Sequence, residues 1–431
     1  MKIPEILLIE TEHKPGSLAR VLHVVGEAGL LVENLNAVRR DQAKTVWELT
    51  LEFDERVDHS LIDRIDELPG TRVIGKSDRV FERHRGGKIE VVAKVPLTSV
   101  QQLRDIYTPG VARVCLAIRD DPSLAREYTN LANTVAVITN GTAILGLGRI
   151  GALAGLPVME GKAALFWNLA GISGVPILVD EIDPARVVDV ITAIAPGFGA
   201  IQLEDIAAPA CFEIEEELRR RLDRPVLHDD QDATAVVVLA ALLRATGQVD
   251  RRLEDCVVGQ IGLGAAGIGI VRLLLRKGVR EVLGADVQES AFARLEALGG
   301  RRSTLEEIMR AADIVVATSG RRNLIPPESV REGQIILALS NPDPEIEPVV
   351  ALAHGAAVAA DGKSVNNVSG FPGLFRGALD AHAKRFSAAM LIAAAETLAS
   401  HAPEGQLVPD PLDRSAHRAV AEAVRRAAVG P

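Results

Sequence analysis

The segment PVLHDDQDATAV, residues 225–236, sets His228, Asp229, Asp230 and Asp232 where an apolar, strand-like entry meets a long apolar run of helical character. Carboxylates this close repel one another and burial penalises each, so opposite charge or proton uptake must offset the cost. A divalent cation meets that need, but one segment cannot supply a whole site. A second acidic pair, Glu204 and Asp205, follows the strand-like Ala200–Leu203, one helix-length stretch upstream. In a parallel sheet, successive strands joined by crossovers open their carboxyl ends onto one edge, where ligands bind. Both acidic pairs then face one crevice, and carboxylates without a histidine pair form a hard-oxygen site suited to Mg²⁺ or Mn²⁺. Either pair alone reads as helix N-capping; the two together favour a metal.

A second chemical signal lies at GQIGLGAAG, residues 259–267. Gly262, Gly264 and Gly267 form a GxGxxG between a strand-like CVV and the apolar helix IGIVRLLLR, with Ala265 and Ala266 at the helix start. Such glycines let the backbone approach a pyrophosphate at a helix N-terminus. Asp286, at the end of the next strand-like stretch EVLGADV, is placed to accept a bond from a ribose 2′-hydroxyl and to repel a 2′-phosphate. No Arg or Lys follows it in VQESAFA, which favours NAD over NADP.

The elements that must position these groups fall into three regions. In residues 1–80 a strand-like EILLIE, a helix with Leu18, Val21, Leu22 and Val25 at helical spacing, an extended LVENLNAVRR, an alternating VWELTLEF, a short helix and TRVIGKS give the order βαββαβ, a ferredoxin-like unit. The basic KSDRVFERHRGGK reads as a linker. Residues 88–250 alternate strand-like and helix-like segments, as a parallel α/β domain does. Residues 251–379 read as a Rossmann-type NAD-binding domain, and helices in 380–431 are expected to pack back on the middle domain.

Bulk properties bound the partners. A chain of 431 residues, 25% charged with 37 glycines, fits a multidomain α/β protein. A net charge of −10 argues against a nucleic-acid surface while leaving room for a local basic pocket. Cys115, Cys211 and Cys256 are scattered without CxxC pairs and read as core residues of a reducing compartment. No stretch reaches the roughly 18 apolar residues of a membrane span, and the start has no signal-peptide pattern. A cytoplasmic protein with no membrane partner is expected.

Two resemblances sharpen this reading. LLIETEHKPGSLARVLHVVGEAGLLVENLNA resembles an ACT domain, with Lys14-Pro15-Gly16 in the turn that opens the first helix. ACT domains pair and bind amino acids or similar small effectors there, which implies an effector site and a homodimer or higher homo-oligomer; a pairing module without ligand is the plainer alternative. From about residue 95 to 400, IYTPGVA, PVMEGKAALF, LEDIAAPACFEIE, PVLHDDQ, LSNPDPEI and NNVSGFPGLFRGALD match in order and spacing the small bacterial malic enzymes. That resemblance implies oxidative decarboxylation of L-malate to pyruvate and CO₂ with reduction of NAD. By motif position it makes Lys162 the base for the hydroxyl proton, with a pKa drawn toward neutrality by a neighbouring cation, and Tyr107 the acid that protonates the enol of pyruvate. It makes Glu204, Asp205 and Asp230 the metal ligands, Asp229 their supporting neighbour, and Asn341 and Asn367 the amides at the substrate carboxylate and nicotinamide ribose.

The chain also departs from the family pattern. HDDQDATA replaces the usual HDDQHGTA, Asn140 stands in TNG for TDG, and Arg149 in LGLGR for LGLGD. Asp232 adds a negative charge near the metal, which Arg149 would compensate if close. Ala233 removes a glycine where close backbone approach is expected. These changes keep open a decarboxylating dehydrogenase for a malate analogue, and a sensor that has lost catalysis.

Overall fold

The computed structural model describes residues 3–53, 59–77, 79–341 and 343–429. The chain forms two compact units, residues 1–88 and 89–431. In the first, β1 (Ile3–Glu12), α1 (Ser17–Glu27), β2 (Val32–Arg40), β3 (Lys44–Phe53), α2 (His59–Asp66) and β4 (Thr71–Lys76) build an antiparallel sheet of order β2-β3-β1-β4. Val21, Val24 and Val25 of α1 and Leu61 and Ile65 of α2 close over Leu7, Ile9, Leu49 and Leu51. The alternation in β3 predicts one wet face, yet Glu48 is buried, accepting from Ser77 Oγ at 2.9 Å and pairing with Arg79. Arg79 belongs to a helix, α3 (Arg79–His84), inside the stretch expected to be only a linker. At the sheet edge β2 is largely exposed, with Val32 and Val38 in solvent along with Leu31 just before it.

The second unit opens with an arm without strands that carries α4 (Val100–Ile106), α5 (Val111–Asp120) and α6 (Ala125–Tyr128). Neither α4 nor α5 has a buried residue. Two parallel sheets follow. The first consists of β5 (Thr134–Thr139), β6 (Ser173–Leu178), β7 (Ala200–Leu203) and β8 (Val226–His228) in the order β6-β5-β7-β8, with α7 (Leu156–Ala170), α8 (Pro184–Ile194) and α9 (Ala210–Arg221) as connections. After one π-helical turn, residues 229–233, the chain enters α10 (Thr234–Gln248), a helix buried on nearly every side.

The second sheet contains β9 (Val257–Ile261), α11 (Ala265–Lys277), β10 (Glu281–Ala285), α12 (Glu289–Leu298), β11 (Arg301–Arg302), α13 (Leu305–Ala311), β12 (Ile314–Ala317), β13 (Ile335–Ala338), α14 (Pro348–Ala353) and β14 (Val358–Asp361). Its order, β11-β10-β9-β12-β13-β14, is that of the doubly wound dinucleotide fold, reversing between β9 and β12. Helices α15 (Phe371–Asp380), α16 (Ala388–His401) and α17 (Arg414–Ala428) complete the unit. Helix α15 lies between α7 and α17, and α16 packs on α10 and α11. One apolar core joins both sheets through these helices: the Phe166 ring meets Phe371 and Phe375 edge to face, with centroids 4.9 and 5.2 Å apart. Residues 89–431 therefore form one compact unit that contains both sheets.

Candidate active site

The parallel order puts both acidic segments at the carboxyl ends of neighbouring strands, β7 and β8. Glu204 and Asp205 leave β7; Asp205 turns the chain with a left-handed φ of +53°, a conformation that costs a non-glycine residue energy and collects at functional sites. Asp229 and Asp230 occupy the π-turn, an irregularity also common at such sites. Oxygens of Glu204, Asp229 and Asp230 lie within 4.8 Å of one another. Asp205 stands outside that trio.

Lys162, buried on α7, reaches into the cluster. Its Nζ is 2.6 Å from Asp229 Oδ2, 3.2 Å from Glu204 Oε1 and 4.5 Å from the centre of the Phe371 ring. Asn367 Nδ2 donates to the same Asp229 oxygen at 2.5 Å. Gln202, which the sequence analysis passed over inside AIQLEDI, donates to Glu204 Oε2 at 2.6 Å and sits 3.4 Å from Asp229 Oδ1. Its position was legible: an amide two residues before Glu204 on a strand shares that residue's face.

Asp229 is thus spoken for on both oxygens, whereas Asp205 Oδ2 is buried without a partner. Four carboxylates face one ammonium, and their titration shows the imbalance. Burial, then Asp230, pushes Asp205 up to about 7; burial, then Asp229, pushes Asp230 up to about 6. Glu204 is raised well above its ordinary value by burial and Asp229. Burial alone would lower the Lys162 ammonium, but Asp229 and Glu204 outweigh it and raise the pKa, opposite to the direction expected beside a cation. Burial holds His228 down to about 4, hence neutral, and its Nδ1 lies 3.7 Å from Asp230 Oδ2. An unsatisfied oxygen-only cluster with excess negative charge fits a hard divalent cation.

The dinucleotide motif sits at the reversal between β9 and β12. Gly262 has a φ of +88°, and a Cβ there would come within 2.7 Å of the Thr318 carbonyl; at Gly267 it would come within 1.9 Å of the Gly262 carbonyl. A Cβ on Gly264 would meet nothing within 4 Å, so this side of the turn is open for a close-approaching ligand, as a pyrophosphate requires. Asp286 accepts from Leu263 N at 2.7 Å and Gln288 N at 2.8 Å, which fixes its carboxylate at the rim of a cavity of about 380 Å³. Arg302 and Arg321 line the same cavity, cations that the stretch following Asp286 does not reveal. Arg302 is paired with Glu289 and lies over the Phe292 ring. Glu345, also unforeseen, is fully buried and pins the neighbouring loops by accepting from Ser319 N at 2.6 Å, Ser319 Oγ at 2.7 Å and Ser340 Oγ at 2.5 Å.

A cavity of about 360 Å³ joins the two halves of the site: Asp230, Ala266, Asn341 and Asn367 all line it. Tyr107 is not brought there. It is 67% exposed at the end of α4, and among the described residues its side chain makes no hydrogen bond or ion pair. Arg149 does not balance Asp232 either; it is exposed, and Asp232 pairs with Arg219 and Arg272. The missing glycine at 233 carries no strain, because Ala233 has helical angles of −67° and −41°. Asn140 is buried, donating to the Glu181 carbonyl at 3.3 Å and accepting from Thr142 Oγ1 at 2.6 Å. Cys115 is exposed, unlike Cys211 and Cys256, because α5 belongs to the arm rather than the core.

The fold and site define a class: an α/β protein whose doubly wound dinucleotide sheet shares a crevice with a lysine-centred carboxylate cluster. The family model for the malic enzyme N-terminal domain matches residues 86–219. The chain is 50% identical over 426 residues to NAD-dependent malic enzyme 1 of Bacillus subtilis (strain 168), covering 98% of this chain and 97% of that protein. It is 40% identical over 413 residues to the NAD-dependent malic enzyme of Geobacillus stearothermophilus, covering 91% and 86%. A crystal structure of malic enzyme from Pyrococcus horikoshii Ot3 aligns with a TM-score of 0.77 at 40% identity, covering 81% of this chain and 89% of that one. The chain belongs to the malic enzyme family.

Proposed function

We propose that the protein oxidatively decarboxylates L-malate to pyruvate and CO₂ with reduction of NAD, and that Glu204, Asp205 and Asp230 hold the required Mg²⁺ or Mn²⁺. The observation that carries this reading is the Lys162–Asp229–Asn367 contact beside the cavity that Asp230 of the acidic cluster and Ala266 of the GxGxxG turn line together. When bound, the cation supplies positive charge against the carboxylates and the substrate oxygens, and NAD supplies the hydride acceptor.

The chain's own groups do the rest. Lys162 takes the C2 hydroxyl proton as the hydride leaves, and Asp229 and Asn367 fix where its Nζ stands. In the metal-free protein the surrounding carboxylates keep Lys162 protonated; neutralising them releases it as a base. Asn341 and Asn367 orient substrate and nicotinamide ribose from the wall of the joint cavity. Gly262, Gly264, Ala265, Ala266 and Gly267 receive the pyrophosphate, and Asp286 the adenosine ribose. Asp286 favours NAD over NADP by repelling a 2′-phosphate. Tyr107 delivers a proton to the enol carbon, which requires the exposed arm to be seated against another surface.

A homo-oligomer supplies such a surface, and the arm supports it: Val91, Val92, Val95, Leu97 and Val100 are all more than half exposed. Residues 1–80 are read as an ACT module that pairs through the open β2 edge and takes an amino acid or similar effector at the Lys14–Gly16 turn, where Gly16 has a φ of +84°. The cytoplasmic assignment rests on three free cysteines and on the lack, among the described residues, of a helix long and apolar enough to cross a membrane.

Incubating the purified protein with L-malate, Mn²⁺ and either NAD or NADP tests the main reading. Pyruvate formed in step with metal-dependent NAD reduction is expected. Nicotinamide reduction that yields another keto acid, or none with either cofactor, overturns it.

A further inference from the structure

Asp232 is the charge for which the family pattern has no place, and the structure gives it a specific one. Asp232 and Glu215 are each 2% exposed. Between them lie two guanidinium groups: Arg272 Nη2 is 2.7 Å from Asp232 Oδ1 and 3.8 Å from Glu215 Oε2, while Arg219 Nη2 is 2.9 Å from Glu215 Oε1 and also pairs with Asp232. The four charges cancel. They come from three elements: Glu215 and Arg219 from α9, Asp232 from the π-turn, and Arg272 from α11, the helix that begins at the GxGxxG turn.

The backbone is joined at the same place. Glu215 Oε1 accepts from His228 N at 2.7 Å, which fixes the strand end just before Asp229. A Cβ on Gly269 would approach the Gln231 carbonyl to 2.4 Å, so α11 lies directly on the turn with no side chain between. One end of α11 therefore borders the dinucleotide crevice through Ala266, and its middle is clamped by ion pair and backbone contact to the turn that carries Asp230. A close-packed contact of this kind transmits displacement because it has no slack to absorb it.

We infer that Asp232 and Arg272 are positioning residues that transmit the placement of α11, and with it dinucleotide occupancy, to the Asp229–Asp230 turn, so that dinucleotide and divalent cation bind cooperatively. The inference rests on the proposed site assignment and adds to it a coupling between the two ligands. Linkage makes the coupling reciprocal: NADH must tighten Mn²⁺ by the factor by which Mn²⁺ tightens NADH.

The test is binding, not turnover. Free Mn²⁺ is followed by electron paramagnetic resonance with and without saturating NADH, and NADH fluorescence with and without Mn²⁺, in the full-length protein and in two variants. Arg272→Gln removes the charge while leaving a donor for Asp232. The double variant Asp232→Asn/Arg272→Gln leaves Arg219 and Glu215 paired, so no charge is buried unbalanced. In the native protein a coupling of about tenfold is expected. In both variants it should fall to near one, with each ligand alone binding within about twofold of the native protein. An undiminished coupling factor in the double variant, or weakened single-ligand binding with that factor intact, would reduce the network to a structural brace and overturn the inference. So would native protein that binds both ligands without coupling. Native protein that binds neither ligand overturns the site assignment itself, a result distinct from the others.

Discussion

Asp230 and Asp232 are two residues apart in one turn and belong to opposite kinds of charge cluster. Asp230 joins Glu204, Asp205 and Asp229 around a single lysine, a cluster with surplus negative charge, an unpartnered oxygen and carboxyl groups pushed upward by burial and mutual repulsion. Asp232 shares two arginines with Glu215 in a quartet of equal and opposite formal charges; burial would raise the Asp232 carboxyl, yet Arg272 and Arg219 pull it down to about 2, whereas burial keeps Glu215 raised to about 7. Burial by itself therefore says little about the role of a charge. An imbalance that folding leaves uncorrected marks a place for a ligand, and a balance reached within the chain marks a joint between elements.

The largest effect should come from the centre of the unbalanced cluster. Lys162→Ala is expected to lower malate oxidation on the order of 10³-fold, with Mn²⁺ binding retained because the carboxylates remain; steady-state rates and a Mn²⁺ titration check both. Near-native turnover would remove Lys162 as the base. Next in size is a pair of stability changes of opposite sign. Arg219→Met strands two buried carboxylates on Arg272 alone and should cost about 3–5 kcal/mol by urea unfolding. Asp230→Asn removes repulsion from its cluster and should raise the Tm of the chelator-treated protein while weakening Mn²⁺. Two variants that both destabilise the metal-free protein would erase the distinction between the clusters.

Much of this was legible in the sequence because it depends on strand order. Acidic pairs after β7 and β8 lie at neighbouring strand ends once the sheet is parallel, and the glycines at 262 and 267 stand where a Cβ would collide with neighbouring backbone. Illegible features depend on groups distant in sequence that converge only on folding. Arg219 and Arg272 lie 13 residues before and 40 after the aspartate they share, and neither departs from the family pattern; Arg149, farther away in sequence, suggested itself only because it does. Arg302 from β11 and Arg321 from a later loop reach the cavity beside Asp286, and Glu345 ties two loops together from a third. The apolar residues of the arm carry no helical or strand period, and their exposure is a property of the folded surface. Tyr107 illustrates the limit most plainly: its motif was recognisable, but where its side chain stands depends on what covers the arm.

The smallest predicted effect asks whether the unbalanced cluster is felt by the whole protein. Asp205 and Glu204 titrate higher in the folded chain than unfolded, so the fold binds more protons and metal-free stability must fall as pH rises through that window. Below pH 6.5 the signal is mixed, because burial depresses His228 to about 4 and lowers His417, and each then adds stability with rising pH up to its ordinary value. Above pH 6.5 the histidines drop out, and the balanced Asp232, ionised since about pH 2, contributes no slope. Between pH 6.5 and 8 the Tm of chelator-treated protein should therefore fall by a few degrees, roughly what 1–2 kcal/mol shifts in a protein of this size. Part of the fall belongs to Glu215, which burial raises to about 7, so the diagnostic is the difference made by the site. Asp205→Asn should flatten the slope, and saturating Mn²⁺ should stabilise the native protein more at pH 8 than at pH 6.5, because the cation binds the deprotonated cluster. A slope unchanged by Asp205→Asn, with a Mn²⁺ increment independent of pH, would mean that the carboxylates are already balanced within the fold and that the two clusters differ only in their partners.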